Sequence, residues 1–322
     1  MNAIGVDVGG TKIAAAVVSP KGEILNETRY PTLAVPPGRL VDTISRAINE
    51  VKDGFEVGGA CVAVPGLILA AENKVVFAPN LHEIENIRLD EEIGAATGLR
   101  VTVENDANAA AWGEFRYGAG KAVEHQVFIT LGTGVGGGVI THGILLRGAQ
   151  GAGGELGHVT IDPTGPRCGC GNHGCLEALA SGTAIRRRAR EIANEKPNSA
   201  LGRLAVDREV LGEDVSRLAR EGDEASLAVL EETGRWLGIG LAGFVNMFNP
   251  EVIPVGGGAS RAGEFLLGPA REEVHLRARS PSRDLVGIEE ATLGPESGVL
   301  GAAALARRED GEYVLGPSGR VA

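Results

Sequence analysis

The sequence predicts an α/β fold with two lobes and a cleft between them. Strand-like and helix-like segments alternate along the 322 residues, which is typical of α/β proteins. Two segments, Ile4–Val18 and Val127–Ile140, resemble each other: each has an apolar strand, a turn of Gly and Thr, and a second apolar strand. Glycine accounts for 49 residues, and their clustering indicates tight turns or backbone-lined binding loops. A chance similarity of glycine-rich turns is the alternative to a β-meander used twice.

The first predicted lobe begins with the meander and continues with alternating elements. The strand Ala3–Val8 leads into a second strand and, after the turn Pro20-Lys21-Gly22, a third short one. Gly98 directly follows a segment with helical spacing and is a typical helix-ending residue. The other predicted elements are a helix at Leu40–Val51, a strand at Gly59–Val64, a helix at Leu89–Thr97, a strand at Leu99–Val103 and an alanine-rich helix at Asp106–Phe115.

The second predicted lobe begins with the second meander and is richer in helices. A long helix at Ala225–Phe248 is stopped by Asn249-Pro250. A helix at Val299–Arg307 can return to the first lobe, and the residues after Arg308 have the composition of a polar tail. We therefore divide the chain into a smaller lobe, 1–117 with 300–322, and a larger lobe, 118–299. The remaining predicted elements are helices around Ser181–Glu195 and Asp214–Glu221 and a strand at Val252–Val255.

Charge and hydropathy exclude several classes of protein. The net charge of −11 opposes binding to a nucleic-acid backbone, and the short basic run Arg186–Arg188 is interpreted as a solvated helix face. No apolar run approaches the length of about 18 residues that a membrane-spanning helix needs. The chain enters its first strand at Ala3 without the pattern of a signal peptide. We therefore expect a cytoplasmic protein that binds neither nucleic acid nor membrane.

The first glycine-rich turn joins two strands and carries polar groups. In the turn formed by Gly9, Gly10, Thr11 and Lys12, backbone N–H groups can approach an anion closely, while the side chains add a donor and a positive charge. Asp7, just before the turn, can accept a proton or hold a hydrated Mg²⁺. An ordinary hairpin turn is an equally good interpretation of this segment taken alone.

Two more glycine-rich turns also follow predicted strands. Gly132-Thr133-Gly134 begins a segment with the spacing G-x-G-x-x-G, but a strand at Gly138–Ile140 follows where a dinucleotide-binding motif requires a helix. Gly256-Gly257-Gly258 follows the strand Val252–Val255. Three such turns, each after a strand, favour a nucleotide-binding cleft over three unrelated hairpins.

A cluster of cysteines predicts a structural metal site. One imidazole and three thiolates form the ligand set of a closed tetrahedral zinc site, and the residues that supply them are His158, Cys168, Cys170 and Cys175. In a reducing compartment such spacing favours a metal over a disulfide. His173 is a rival ligand, and free buried cysteines are the alternative to a metal. Because Glu155 is close to His158 in the sequence, the ion would hold the loop that carries both.

Several acidic residues are candidates for contact with a polar substrate. Glu104-Asn105-Asp106 precedes the alanine-rich helix, where it can serve as a helix cap, as a general base, or as both. A helix N-terminus favours an ionised carboxylate at this position. Glu155, His158 and Glu177 flank the cysteine cluster and can bind paired hydroxyl groups; for Glu177 alone, a solvated surface residue is the alternative.

The motifs together are similar to those of the ROK family of repressors and sugar kinases, and most closely to its bacterial ATP-dependent glucokinases. The resemblance covers about residues 4 to 300, in the order found in the family. It rests on DVGGTK at 7–12, VPG at 64–66, FAPN at 77–80, ENDANAAAWGE at 104–114, LGTGVGGG at 131–138, GELGH at 154–158, CGCGNHGCLE at 168–177 and VGGGAS at 255–260.

The resemblance implies an actin-like ATPase fold and ATP-dependent phosphorylation of the 6-hydroxyl of a hexose, with glucose as the leading candidate. It implies Asp106 as the catalytic base, zinc on the four ligands named above, Mg²⁺ accompanying ATP, and assembly into a homo-oligomer. ATP phosphates are expected at Gly9–Lys12 and Gly132–Gly134, and adenosine near Gly256–Gly258. The implied sugar contacts are Gly66, Asn80, Asn105, Asp106, Glu155, His158 and Glu177.

Other members of the family leave alternatives open. Kinases for mannose, fructose, allose or N-acetylmannosamine share these motifs, and specificity among them depends on a few hydroxyl contacts. Polyphosphate is an alternative phosphoryl donor, although no added basic stretch accompanies the phosphate turns. A sugar-sensing regulator is a distant alternative, because the first meander begins at Ala3 and no DNA-binding segment precedes it.

Overall fold

The computed structural model describes residues 1–32, 35–69, 72–78 and 81–307. The chain forms two compact units. The first unit combines residues 1–122 and 138–154 with the stretch from Pro295 onward, and the second combines residues 123–137 and 155–294. The two lobes expected from the sequence, 1–117 with 300–322 and 118–299, stay a prediction. The polar tail expected after Arg308 lies outside the described residues.

The first unit contains most of the predicted alternation of strands and helices. Its elements are β1 (Asn2–Val8), β2 (Lys12–Val18), β3 (Ile24–Pro31), α1 (Leu40–Lys52), β4 (Val57–Val64), β5 (Leu67–Leu69), β6 (Lys74–Phe77), α2 (Leu89–Thr97), β7 (Val101–Asn105) and α3 (Asp106–Tyr117). Gly98 ends α2 in the left-handed conformation at φ 71°, as its position in the sequence predicted.

The second half of the chain begins with another meander and continues mostly with helices. Its elements are β8 (Gln126–Leu131), β9 (Val135–Thr141), β10 (Ile144–Leu145), α4 (Leu176–Ala180), α5 (Gly182–Glu195), α6 (Ala200–Asp207), α7 (Gly212–Arg220), α8 (Glu224–Phe248), β11 (Val252–Gly256), α9 (Glu264–Arg277), α10 (Ser282–Leu285), β12 (Gly287–Glu290) and α11 (Ser297–Ala306). Among the described residues, no helix is long and apolar enough to cross a membrane.

The strand order repeats between the two sheets. The first sheet has the order β3-β2-β1-β4-β7 and the second β10-β9-β8-β11-β12. In each, a three-stranded meander is extended on the side of its first strand by two further strands, and the added pairings are parallel. The repeated meander predicted from the sequence is therefore confirmed. This topology and the α/β composition identify an actin-like ATPase fold.

The core of the first unit explains which residues form β1. Ile4 and Val6 are fully buried together with Ile44 and Ile48 of α1, so alternate residues of the strand face this helix. On the other face, Gly5 lies so close to α11 that an added Cβ would be 1.9 Å from the carbonyl oxygen of Val299. The return of the last described helix to the first unit, predicted from the sequence, is thus confirmed.

The packing of α11 on α3 gives a stability prediction. A Cβ on Gly301 would be 1.7 Å from the carbonyl oxygen of Ala109, a backbone atom that cannot move aside. We expect Gly301→Ala to lower the free energy of unfolding by about 3 kcal/mol or more. The matched control is Gly243→Ala in α8, where an added Cβ has no neighbour within 4 Å. The control should gain about 0.5–1 kcal/mol through helix propensity. Equal midpoints in thermal unfolding for the two variants would contradict the close packing.

Seven elements were not predicted from the sequence: β5, β6, α4, α6, α9, α10 and β12. Helix α9 (Glu264–Arg277) contains Pro269 and lacks a clear apolar stripe, so its periodicity is weak. Helix α6 (Ala200–Asp207) has eight residues, of which Leu201 and Gly202 are buried. Strand β12 (Gly287–Glu290) has four residues, of which Ile288 alone is buried. Short elements with so few buried side chains carry little pattern along the chain.

Candidate active site

The carboxyl ends of three parallel strands bring the acidic residues of the first unit together. Asp7 of β1 pairs with Ala63 of β4, which in turn pairs with Glu104 of β7. Asp106 is the first residue of α3, directly after β7. Because the ends of parallel strands meet at one edge of a sheet, Asp7 and Asp106 become neighbours, although 98 intervening residues separate them in the sequence.

Burial makes both Asp7 and Asp106 costly to ionise, and the charge of Asp106 adds to the cost for Asp7. Burial raises the pKa of Asp7 to about 6; the charge of Asp106 adds to the shift, and that of Lys12 opposes it. Burial also raises the pKa of Asp106, while the backbone N–H of Ala107, 2.8 Å from its Oδ1, acts in the opposite direction. A carboxylate with a raised pKa is a stronger proton acceptor than an exposed one, which suits a general base.

Asn105 connects the start of α3 with the turn after β4. Its Oδ1 accepts a hydrogen bond from the backbone N–H of Asn108 at 3.0 Å, so it caps the helix. Its Nδ2 donates to the carbonyl oxygen of Gly66 at 3.1 Å. Gly66 has φ 115°, and a Cβ there would be 1.9 Å from the carbonyl oxygen of Phe77, so only glycine fits. The structure thus brings Gly66, Asn105 and Asp106 together.

The raised pKa of Asp7 gives a prediction about pH and stability. Between about pH 4 and pH 6 the folded protein holds a proton on Asp7 that the unfolded chain has released, so stability falls as pH rises through this window. We expect Asp7→Asn to raise the free energy of unfolding at neutral pH by roughly 2 kcal/mol.

The matched control for this prediction is Asp53→Asn, which changes an exposed aspartate just after α1. Chemical denaturation at pH 4 and pH 7.5 measures both variants. A stability gain for Asp7→Asn that is the same at both pH values would contradict the titration of Asp7 in this window.

The glycine-rich turns of the second unit are held against neighbouring helices and strands. The N–H of Gly132 donates to the carbonyl oxygen of Gly134 at 3.0 Å, and the N–H of Gly182 donates to that of Gly132 at 2.8 Å. The hydroxyl of Thr183 donates to the carbonyl oxygen of Thr133 at 2.8 Å. The first turn of α5 therefore fixes the Gly132–Gly134 turn.

The third glycine-rich turn lies beside the end of β8. Gly257 has φ 88°, and an added Cβ would be 2.5 Å from the carbonyl oxygen of Leu131. Its own carbonyl oxygen accepts from the hydroxyl of Ser260 at 2.9 Å. Since Gly132 directly follows Leu131, the turns Gly132–Gly134 and Gly256–Gly258 are neighbours. Strand β9 follows the Gly132–Gly134 turn. This confirms the predicted strand at the place where a dinucleotide-binding motif would need a helix.

The four predicted metal ligands converge in the second unit. Their ligand atoms all lie within 4.8 Å of one another; these residues are His158, Cys168, Cys170 and Cys175. The Sγ atoms of Cys170 and Cys175 are 3.7 Å apart, as are Cys168 Sγ and His158 Nδ1. A tetrahedral ion bound at about 2.3 Å to each sulfur separates two sulfurs by about 3.8 Å. The donor atoms therefore fit a tetrahedral zinc ion, with His158 in place of the rival His173.

Two carboxylates lie beside the cysteine cluster. Glu155 Oε2 is 3.9 Å from Nε2 of His158, the nitrogen that does not face Cys168. Glu177 Oε1 is 3.4 Å from Cys168 Sγ, and its Oε2 accepts from the N–H of Val135 at 3.1 Å. A Cβ on Gly134 would be 2.2 Å from Glu177 Oε2. Glu177 thus joins the cysteine cluster to the Gly132–Gly134 turn and is not a free surface residue.

The remaining candidate residues are placed as follows. The turn of Gly9, Gly10, Thr11 and Lys12 joins β1 to β2, with the N–H of Gly9 bonded to the carbonyl oxygen of Lys12 at 2.8 Å. Asn80 lies outside the described residues. A residue that the sequence did not indicate is Arg147, whose side chain reaches Glu104. Arg147 lies in a glycine-rich loop with no local pattern that predicts this contact.

Comparisons with known proteins agree on one family. The model of the ROK family matches residues 3–309. A glucokinase of Thermotoga maritima is 43% identical over 316 residues, which cover 96% of this chain and 98% of that protein. A glucokinase of Streptomyces coelicolor is 40% identical over 312 residues, covering 95% and 98%. A crystal structure of a ROK family glucokinase from Streptomyces griseus in complex with glucose and AMPPNP has a TM-score of 0.83 and 39% identity, and the match covers 95% of this chain and 99% of that one.

Proposed function

Because the chain belongs to the ROK family, we propose that it transfers the γ-phosphoryl group of ATP to the 6-hydroxyl of glucose. The observation that carries the proposal is Asp106, a carboxylate at the start of α3 whose pKa is raised by burial. Relatives at 40–43% identity over nearly their whole length are named glucokinases. The solved relative from Streptomyces griseus contains glucose and AMPPNP, an analogue of ATP.

In this proposal Asp106 accepts the proton of the sugar hydroxyl as that oxygen attacks the γ-phosphorus. The bond between the γ-phosphorus and the bridging oxygen breaks, and ADP leaves with the electron pair. The transition state of phosphoryl transfer is loose, so positioning and charge stabilisation account for most of the rate enhancement. Asn105 would hold the sugar near Asp106, because its side chain is fixed between Gly66 and Asn108. Gly66, Asn80, Glu155, His158 and Glu177 complete the proposed sugar contacts.

The glycine-rich turns would bind the nucleotide. Apart from the N–H groups of Gly9 and Gly132, which are bonded within their own turns, the backbone N–H groups of the Gly9–Lys12 and Gly132–Gly134 turns would suit phosphate oxygens. In the Gly256–Gly258 turn, an added Cβ on Gly258 would have no neighbour within 4 Å, which would leave space there for adenosine. Mg²⁺ would accompany ATP and neutralise charge on its phosphates. Asp7 is the carboxylate at the Gly9–Lys12 turn that can hold the hydrated ion, and a cation there would offset the repulsion from Asp106.

The cysteine cluster would hold a structural zinc ion. Its four donors fit tetrahedral coordination, and Glu155 beside the second nitrogen of His158 is the kind of partner that orients a metal-bound imidazole. Zinc would supply rigidity to the loop that carries Glu155 and His158, not chemistry on the phosphoryl group. Such a site requires reduced thiols, which agrees with the cytoplasmic location expected from the sequence.

A coupled assay of ADP release tests the function. Purified protein with Mg-ATP is given glucose, mannose, fructose, allose, N-acetylglucosamine or N-acetylmannosamine in turn. We expect strong turnover with glucose and at least tenfold lower kcat/KM with each of the others, because losing one buried hydroxyl contact costs about 1–3 kcal/mol. A preference for another hexose would change the substrate and keep the mechanism. Activity with polyphosphate alone would change the donor, and inactivity with every sugar and donor would overturn the kinase assignment.

A further inference from the structure

Glu104 is a buried carboxylate with four hydrogen-bond donors around it. It is 5% exposed. Its Oε1 accepts from the backbone N–H of Asn105 and from Nδ2 of Asn108, each at 3.1 Å. Its Oε2 accepts from Nε of Arg147 at 2.7 Å and from Nη2 of Arg147 at 2.6 Å. Both oxygens of this carboxyl group therefore act as acceptors, each with two donors.

The Oε1 side of this carboxylate organises the start of α3. The N–H of Asn105 and the side chain of Asn108 both point to the same oxygen, and Asn105 in turn caps the helix through the N–H of Asn108. These bonds fix the backbone on both sides of Asp106. The direction of the Asp106 carboxylate therefore depends on the position of Glu104.

The Oε2 side holds a glycine-rich segment of the same unit. Arg147 is followed by a loop closed by a hydrogen bond from the N–H of Gly153 to the carbonyl oxygen of Arg147 at 2.8 Å. Gly148, Gly151 and Gly154 in this loop have positive φ, a backbone conformation that favours glycine. Along the chain it leads directly to Glu155. The guanidinium of Arg147 is its anchor to the strand β7.

We propose that Glu104 and Arg147 are positioning residues for phosphoryl transfer. The proposal rests on the proposed function, since it concerns the geometry of Asp106. The ion pair fixes the start of α3 through one carboxylate oxygen and the start of the Gly148–Gly154 segment through the other. Its loss leaves the chain folded with Asp106 misdirected, and a misplacement of about 1 Å can lower a rate by about 100-fold.

The decisive variant is Arg147→Ala, and the control is Arg29→Ala. Arg29 forms a half-exposed ion pair with Glu27 in the same unit, and its loss should change neither stability nor rate by much. For Arg147→Ala we expect kcat to fall about 10- to 100-fold. The KM for ATP should stay within about twofold, because the hydrogen bonds of Glu104 described above go to Asn105, Asn108 and Arg147, which are not residues of the glycine-rich turns. Guanidinium chloride at millimolar concentration should restore part of kcat, whereas an equal concentration of NaCl should not.

The outcomes separate a positioning role from a merely structural one. Thermal unfolding sets an assay temperature at which each variant is folded. A folded Arg147→Ala protein with wild-type kcat, or a loss of kcat that guanidinium does not restore at all, would overturn the proposal. If Arg147→Ala does not fold, Glu104→Gln takes its place, because its amide group would face donors where a carboxylate accepts. A folded Glu104→Gln protein with wild-type kcat would equally overturn it.

A second readout keeps this inference distinct from the proposed function. In Arg147→Ala, the backbone amides of Asn105 and Asn108 should exchange hydrogen at least about tenfold faster than in the wild type, because the carboxylate that orders them is released. Inactivity of the wild-type protein with every hexose would refute the proposed function and leave this measurement intact. Unchanged exchange at these two amides would refute the positioning role whatever the activity.

Discussion

Replacing Asp106 with Asn is expected to reduce kcat by about 10³-fold or more while sparing glucose binding. The amide keeps the shape of the side chain and removes its capacity to accept a proton. Because burial raises the pKa of Asp106, the change also removes a charge that is costly in the folded state, so the variant should be at least as stable as the wild type. Calorimetric titration with glucose and steady-state kinetics measure the two effects separately.

The matched control is Asp42→Asn. Asp42 lies in the first turn of α1, as Asp106 does in α3, but it is exposed and pairs with Arg39. Its replacement should leave kcat and KM unchanged. Turnover by Asp106→Asn within about tenfold of the wild type would refute the assignment of the base, since a general base contributes roughly 10²- to 10⁴-fold.

In the wild-type protein, the dependence of kcat on pH should also report the ionisation of Asp106. The base must be ionised to accept a proton, so kcat falls as pH drops through its pKa. Burial raises that pKa above the value of an exposed aspartate, and the fall should therefore begin at a higher pH than for an ordinary carboxylate. The residual activity of Asp106→Asn should not show this fall of kcat at low pH. If the variant still shows the fall, another group causes it.

Loss of the proposed zinc ion is expected to have the second largest effect. Elemental analysis should find about one zinc per chain, and Cys175→Ala should lose it. Three remaining donors would crowd together without the charge that compensates them, and the loop from Glu155 to Cys175 would lose its link. We expect a loss of about 3 kcal/mol or more in the free energy of unfolding, with a large fall in turnover as Glu155 and His158 lose their positions.

Cys61→Ala is the control for this experiment. Cys61 is a buried cysteine like Cys175, but it lies in β4 of the first unit and is not one of the four clustered ligands. The control should keep its zinc and lose no more than about 1–2 kcal/mol through lost packing. If the wild-type protein is isolated in active form with no zinc or other metal, the cluster is a set of free thiols and the proposed ion is absent.

The ease of predicting each site from the sequence depended on how local its contacts are. The four ligands of the cysteine cluster lie within 18 residues and are recognisable by residue type. The glycine-rich turns directly follow apolar strands. Asp106 was indicated by its position before an alanine-rich helix. The contact between Asp7 and Asp106 depends on the parallel pairing of β1, β4 and β7, which sequence alone does not specify.

The contact between Arg147 and Glu104 could not be predicted from the sequence. Arg147 lies 43 residues after Glu104, in a loop whose neighbours carry no charge pattern pointing to the contact. Arginine residues in loops are usually solvated, so residue type favours the wrong interpretation. For the fold, the long strands and helices with regular apolar spacing were predicted to within a few residues. The short or irregular elements were found only in the structure: β5, β6, α4, α6, α9, α10 and β12.

The return of α11 to the first unit determines the order in which the protein can fold during synthesis. Gly5 of β1, Gly113 of α3 and Gly301 of α11 lie at contacts that exist only when the helix is in place. The ribosome releases residues 297–306 after the stretch 155–294 of the second unit. The second unit can therefore fold on the nascent chain, while the unit that carries Asp106 waits for the last helix. A chain that ends before α11 would expose the uncovered apolar face to chaperones and proteases, and its first unit would remain incomplete.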